Sequence, residues 1–119
     1  MAELLRSEDK DRALELLNRA ISFSPDEPSG YVARGGLYFY SKADATEAES
    51  DFRKALILTN WENASAWAGL GDSLARQGRR DEAISAYKHY LRLRPQSAAH
   101  YDSEIRKSIS LLKGVASTP

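Results

Sequence analysis

The sequence contains no cysteine. That excludes a disulfide framework, a thiolate zinc site and a cysteine nucleophile, and it suits a reducing compartment. Histidine is nearly absent too. His89 and His100 are the only two, and neither has a second ligand at metal-binding spacing, so no metal site is expected. No charge surplus exists: 17 Lys+Arg stand against 17 Asp+Glu, a formal net charge of zero. A nucleic-acid or anionic-membrane binder normally carries a basic excess, so neither partner is expected. No apolar run approaches the roughly 18 residues of a membrane-spanning helix. The charged residues 1–10 lack the apolar centre of a secretion signal. These absences lead to an expectation of a cytoplasmic chain without cofactor or membrane insertion, or of a domain of something larger. At 119 residues there is enough chain for one domain with a real core.

What is present is helical periodicity. Trp67, Leu70, Gly71 and Leu74 share one face at 3-4 spacing, and Ala83, Tyr87, Tyr90 and Leu91 share another. A glycine inside a helix costs roughly 1 kcal/mol against alanine, so Gly71 calls for a reason. Close contact with a second helix is the economical one. The expectation is a hairpin in which Gly71 and Ala83 admit the approach while Trp67 and Tyr87 cover the seam.

The pattern W-x2-L-G at 67–71, then Ala83, Tyr87 and Pro95, resembles the tetratricopeptide repeat, a motif of about 34 residues. Internal spacing supports the resemblance. Ala13, Ala48 and Ala83 stand 35 residues apart, as do Leu17, Phe52 and Tyr87, and Pro25, Asn60 and Pro95. Such self-similarity marks a stacked helical array. The resemblance implies an all-α, right-handed helical-hairpin solenoid of about three repeats with a C-terminal capping helix. The whole chain would be one such domain: a partial repeat at 1–27, full repeats at 28–63 and 64–97, a capping helix at 98–114 and a tail at 115–119. Two one-residue insertions relative to the motif fall near 41–45 and near Trp61, both expected in loops.

Taken in order, the spacing predicts a short helical piece at 1–7, a polar turn at 7–10 and a helix at 10–23. Further helices follow at 28–40 and 46–58, then the hairpin itself. A last helix at 98–113 would be capped by Ser97 and stopped by Gly114. Departures from the repeat are Arg34 in place of leucine, Asn60 in place of proline and Tyr90 in place of a small residue. In the last helix Tyr101 keeps register, but Glu104 and Ile105 replace the Leu-Gly pair.

No residue constellation suggests catalysis, and the chain is not expected to be an enzyme. Ser85-Ala-Tyr-Lys88 matches a Ser-x-x-Lys pattern, but no other element of that machinery accompanies it. Tetratricopeptide arrays, by resemblance, bind a peptide segment or partner helix on the concave face lined by the first helix of each repeat. Shifting one or two positions from the buried stripe gives the groove residues. They are Val32, Gly36, Phe39 and Tyr40 on one helix, Ala68, Asp72, Ala75 and Arg76 on the next, and Asp102, Arg106 and Ile109 on the last. Phe39 and Tyr40 would anchor the partner or pack on the neighbouring hairpin; Asp72, Arg76 and Arg106 would orient it. Of the clamp of Lys, Asn and Arg that holds heat-shock chaperone tails in some members, only Arg106 fits, and Asp72 would repel a carboxylate, so no such clamp is expected. Two alternatives stand beside the groove. One is self-association through an exposed N-terminal edge carrying Leu4 and Leu5. The other is a docking role in a larger enzyme or secretion component.

Overall fold

The structure, a computed structural model, describes residues 7–117. Helix α1 (Ser7–Phe23) is followed by α2 (Pro28–Gly36), which opens on proline where a missing N–H costs nothing. A single π turn (Leu37–Ser41) continues α2. Helix α3 (Ala45–Leu58) is capped by Asp44, whose carboxylate accepts the Glu47 N–H at 3.1 Å. Asn63 caps α4 (Ala64–Arg76) in the same way, accepting the Ala66 N–H at 3.0 Å. Helix α5 (Arg80–Leu93) completes the second hairpin. A 3-10 segment (Gln96–Tyr101) then leads into α6 (Asp102–Ser117). No strand occurs among the described residues. The fold is an all-α solenoid in which α2–α3 and α4–α5 form hairpins, α3 packs on α4 between them, and α1 and α6 lie against α2 and α5.

Two element boundaries differ from expectation. Residues 7–10 form the first turn of α1 rather than a loop, because Glu8 and Asp9 favour a helix N-terminus. The final α-helix starts at Asp102, not after Ser97, and it continues through Gly114. A glycine ends a helix only when the chain there needs a left-handed residue. The piece expected at 1–7, with Leu4 and Leu5, lies outside the described residues.

Alanines bring the helices close. Ala48, Ala55, Ala66 and Ala83 are fully buried, with Leu56, Leu70 and Leu74 filling the space between them. Each large side chain buried this way contributes about 1.5–3 kcal/mol. The glycines serve rings rather than a bare helix crossing. A Cβ on Gly71 would lie 2.6 Å from the Tyr87 ring, and one on Gly69 would lie 2.4 Å from the Phe52 ring. Tyr87 therefore sits inside the seam of its hairpin instead of covering it, while Trp67 stays half-buried outside. Trp67 stacks on His89 with centroids 4.1 Å apart, which gives that histidine a packing partner.

The inserted residues are absorbed in different ways. The first is taken up by the π turn, where the Lys42 N–H reaches back to the Leu37 carbonyl at 3.2 Å; a wider turn holds one more residue without a loop. The second is absorbed by two successive left-handed residues, Asn60 (φ 58) and Trp61 (φ 66). The Trp61 N–H closes α3 on the Leu56 carbonyl at 2.7 Å. This geometry accounts for Asn60 in place of proline, since a proline ring fixes φ near −65°. Arg34 in place of leucine answers a buried acid, Asp51, on α3.

Candidate partner-binding groove

The first helices of successive repeats, α2 and α4, lie side by side with α6 beyond them, and a cavity of about 350 Å³ opens between the three. Helix α2 contributes Val32 and Gly36, and the π turn contributes Tyr40. Helix α4 contributes Ser65, Ala68, Gly69 and Asp72, spaced at three and four so that they share one face. From the C-terminal side come Tyr101, Glu104 and Ile105, with Phe52 of α3 and Tyr90 of α5 as the deeper wall. Small residues on α2 and α4 leave the space open, and tyrosines surround it.

Asp72 is the polar centre. It accepts a hydrogen bond from the Tyr87 hydroxyl at 2.5 Å and another from the Tyr40 hydroxyl at 3.3 Å. Burial nevertheless raises its carboxyl above the ordinary aspartate range, since desolvation of the anion outweighs those two bonds and the nearby Arg76 charge. Burial and the same carboxylate push the Tyr40 and Tyr87 hydroxyls upward. Arg76 does not close a salt bridge with Asp72. Its guanidinium carbon lies 4.3 Å from the centroid of the Phe39 ring, a cation–π arrangement.

Of the residues assigned to the groove from sequence, Val32, Gly36, Tyr40, Ala68 and Asp72 come together around this cavity. The others do not. Phe39 is 8% exposed and belongs to the core, so of its two readings the structure supports packing. Ala75 is half-buried against that core. Asp102 is held by Arg94 in a two-bond pair at 2.9 and 2.8 Å, which lowers its carboxyl below the ordinary range. Arg106 and Ile109 line a separate depression with Lys88 and Leu91. The displacement on α6 has a physical cause. Asp102 and Arg106 copy the α4 stripe of Ala68 and Asp72 at the repeat interval, but α6 is entered through a 3-10 segment of three residues per turn. The face it turns to the cavity is that of Tyr101, Glu104 and Ile105, themselves at three and four spacing. Tyr101, Glu104 and Ile105 take the positions assigned to Asp102, Arg106 and Ile109.

Other candidate chemistry does not converge. Ser85 and Lys88 line different depressions. Among the described residues no group of three or more His, Cys, Asp or Glu could hold a metal ion, and no helix is long and apolar enough to cross a membrane.

A family model described as tetratricopeptide repeat matches residues 33–98. Cellulose synthase operon protein C of Xanthomonas axonopodis pv. citri (strain 306) is 38% identical over 79 residues, which cover 66% of this chain and 5% of that protein. The peroxisomal targeting signal receptor of Candida glabrata is 36% identical over 93 residues, covering 78% of this chain and 15% of its own length. The chain thus spans a small part of these relatives. The second TPR domain of the human RPAP3 protein, solved in complex with the HSP70 peptide SGPTIEEVD, matches with a TM-score of 0.75 at 21% identity, over 94% of this chain and 88% of that one. At that identity the likeness concerns the fold.

Proposed function

The chain belongs to the tetratricopeptide repeat family, and from that premise we propose that it is a non-catalytic module that receives a peptide segment or helix of a partner protein in the cavity between α2, α4 and α6. The observation that carries this is the cavity itself. It is preformed, walled by small residues and tyrosines, and open along the side on which the first helices align. A groove of this kind takes side chains of an extended or helical segment as anchors. A solved relative of the same fold holds a peptide, which supports the reading. The acidic tail of that peptide would meet Asp72 and Glu104 here, so the reading does not extend to that ligand.

Peptide display tests the groove whatever the natural partner is. Selection from a random library on the whole chain should give ligands that no longer bind Ala68→Trp, a substitution that fills the cavity from the half-buried side of α4. Circular dichroism checks that the variant keeps its helices. Ligands that bind both proteins equally would contradict the groove.

A second reading, self-association, is favoured by one specific observation. On α1, Leu16 and Phe23 are 57% and 90% exposed, with Ala20 exposed between them. Their equivalents one repeat later, Asp51, Ala55 and Leu58, are covered or half-covered, as are Ala86, Tyr90 and Leu93 in the repeat after that. Among the described residues, the stripe on α1 is thus the one that no neighbouring helix covers, and a second copy would cover it. Sedimentation over a concentration series tests this: a strict monomer removes the self-association reading.

A further inference from the structure

The positions where this chain departs from its own repeat fall into two groups. Arg34 and Asn60 have causes within the fold: the first answers buried Asp51, and the second sits at a left-handed backbone position. Of the other three, Tyr90 is buried and Ile105 packs against the core, whereas Glu104 is exposed and has no packing role. Tyr90 stands where the two preceding copies have Ala20 and Ala55, Glu104 where the preceding copy has Leu70, and Ile105 where they have Gly35 and Gly71. All three line the same cavity.

Their chemistry has one sign. The cavity carries two carboxylates, Asp72 and Glu104, and among the described residues no lysine, arginine or histidine lines it. Basic side chains beside it have other partners: Arg76 lies over the Phe39 ring, Arg94 is paired with Asp102, and the His100 ring lies 4.1 Å from that of Tyr101, tilted against it. Glu104 is exposed and makes no ion pair among the described residues. Around the two acids stand three tyrosine rings from three different elements, Tyr40, Tyr90 and Tyr101. Tyrosine rings beside carboxylates in a recess without a cation form an environment that favours an organic cation over an anion. We propose that this cavity accepts a lysine or arginine side chain of the partner segment, packed among Tyr40, Tyr90 and Tyr101 with Glu104 and Asp72 as its counter-charges.

The proposal rests on the groove reading and names the partner's chemistry: a basic segment rather than an acidic tail or an uncharged apolar helix. Asp72 gives it a further handle. Burial holds that carboxyl above its ordinary range, and a bound cation would bring it down.

The experiment sorts the ligands selected on the whole chain, against the Ala68→Trp counter-screen, by charge. The expected result is enrichment of lysine or arginine at one position. A synthetic ligand from the set should bind about threefold to tenfold more weakly when that residue is replaced by methionine, or when the protein carries Glu104→Gln. Glu104 is exposed, so that variant keeps the fold; Tyr101→Ala, also at an exposed position, should weaken the same ligand. Cavity-dependent ligands that are acidic or uncharged, or an affinity untouched by Glu104→Gln, overturn the charge preference and leave the groove standing. Failure to obtain any ligand sensitive to Ala68→Trp overturns both.

Discussion

Arg34 of α2 and Asp51 of α3 form a two-bond ion pair across the first full hairpin, with Nε to Oδ2 and Nη2 to Oδ1 both at 2.8 Å. The remaining Arg34 nitrogen donates to Asn18 of α1 at 2.8 Å, so one guanidinium ties three helices together. Asp51 is only 4% exposed. An arginine fork fits a carboxylate in this way and a lysine does not.

Restoring the repeat's leucine at Arg34 should therefore harm the protein. Arg34→Leu leaves a buried carboxylate without its partner and is expected to cost about 2–4 kcal/mol, the lower end allowing for the arginine's partial exposure. The double variant Arg34→Leu/Asp51→Ala, which copies Leu70 and Ala86 of the next hairpin, should recover most of that loss. Urea denaturation of the two variants and the parent gives both numbers. A single variant as stable as the parent would show that the pair is dispensable.

The glycines divide by what lies over them. Gly71→Ala and Gly69→Ala would put a methyl into the Tyr87 and Phe52 rings, and each should cost about 1–3 kcal/mol through overpacking. Gly36 has nothing within 4 Å of an added Cβ and sits at φ −61. Gly36→Ala should stabilise by up to about 1 kcal/mol. Thermal melts of the three variants test the contrast, which depends on the rings and not on glycine content.

Two aspartates should titrate in opposite directions. Arg94 holds Asp102 below the ordinary range, so its stabilising contribution is present above the unfolded-state value and lost as pH falls through the folded one. Burial holds Asp72 above that range, so its contribution is present below the unfolded-state value and lost as pH rises through the folded one. The stability advantage of the parent over Asp102→Asn should shrink on acidification through the carboxylate range. Relative to Asp72→Asn, the parent should lose ground as pH rises through it. Carbon-detected NMR of the two carboxyls, with urea melts at each pH, reads both directions.

The repeat and its hairpins are legible in the sequence because the apolar spacing at Trp67, Leu70 and Leu74 and the 35-residue interval at Ala13, Ala48 and Ala83 reflect packing that every copy repeats. Half of the groove is legible for the same reason: Val32, Gly36, Ala68 and Asp72 sit on regular helices whose faces can be counted. The other half depends on irregular turns. The π turn after Gly36 aims Phe39 inward and Tyr40 outward, and a 3-10 segment precedes Asp102, so a stripe copied from α4 at the repeat interval misplaces Arg106 and Ile109. The Arg34–Asp51 pair is visible as an arginine at a leucine position, but its partner is found only once α2 and α3 are packed.

The most direct test of the groove is an NMR titration of the whole chain with a display-selected peptide, following the backbone amides and the tyrosine rings. The account predicts shifts concentrated at Val32, Tyr40, Ala68, Asp72 and Tyr101, with Leu16 and Phe23 unmoved. Shifts centred on Leu16 and Phe23 of α1, with the cavity residues silent, would contradict it.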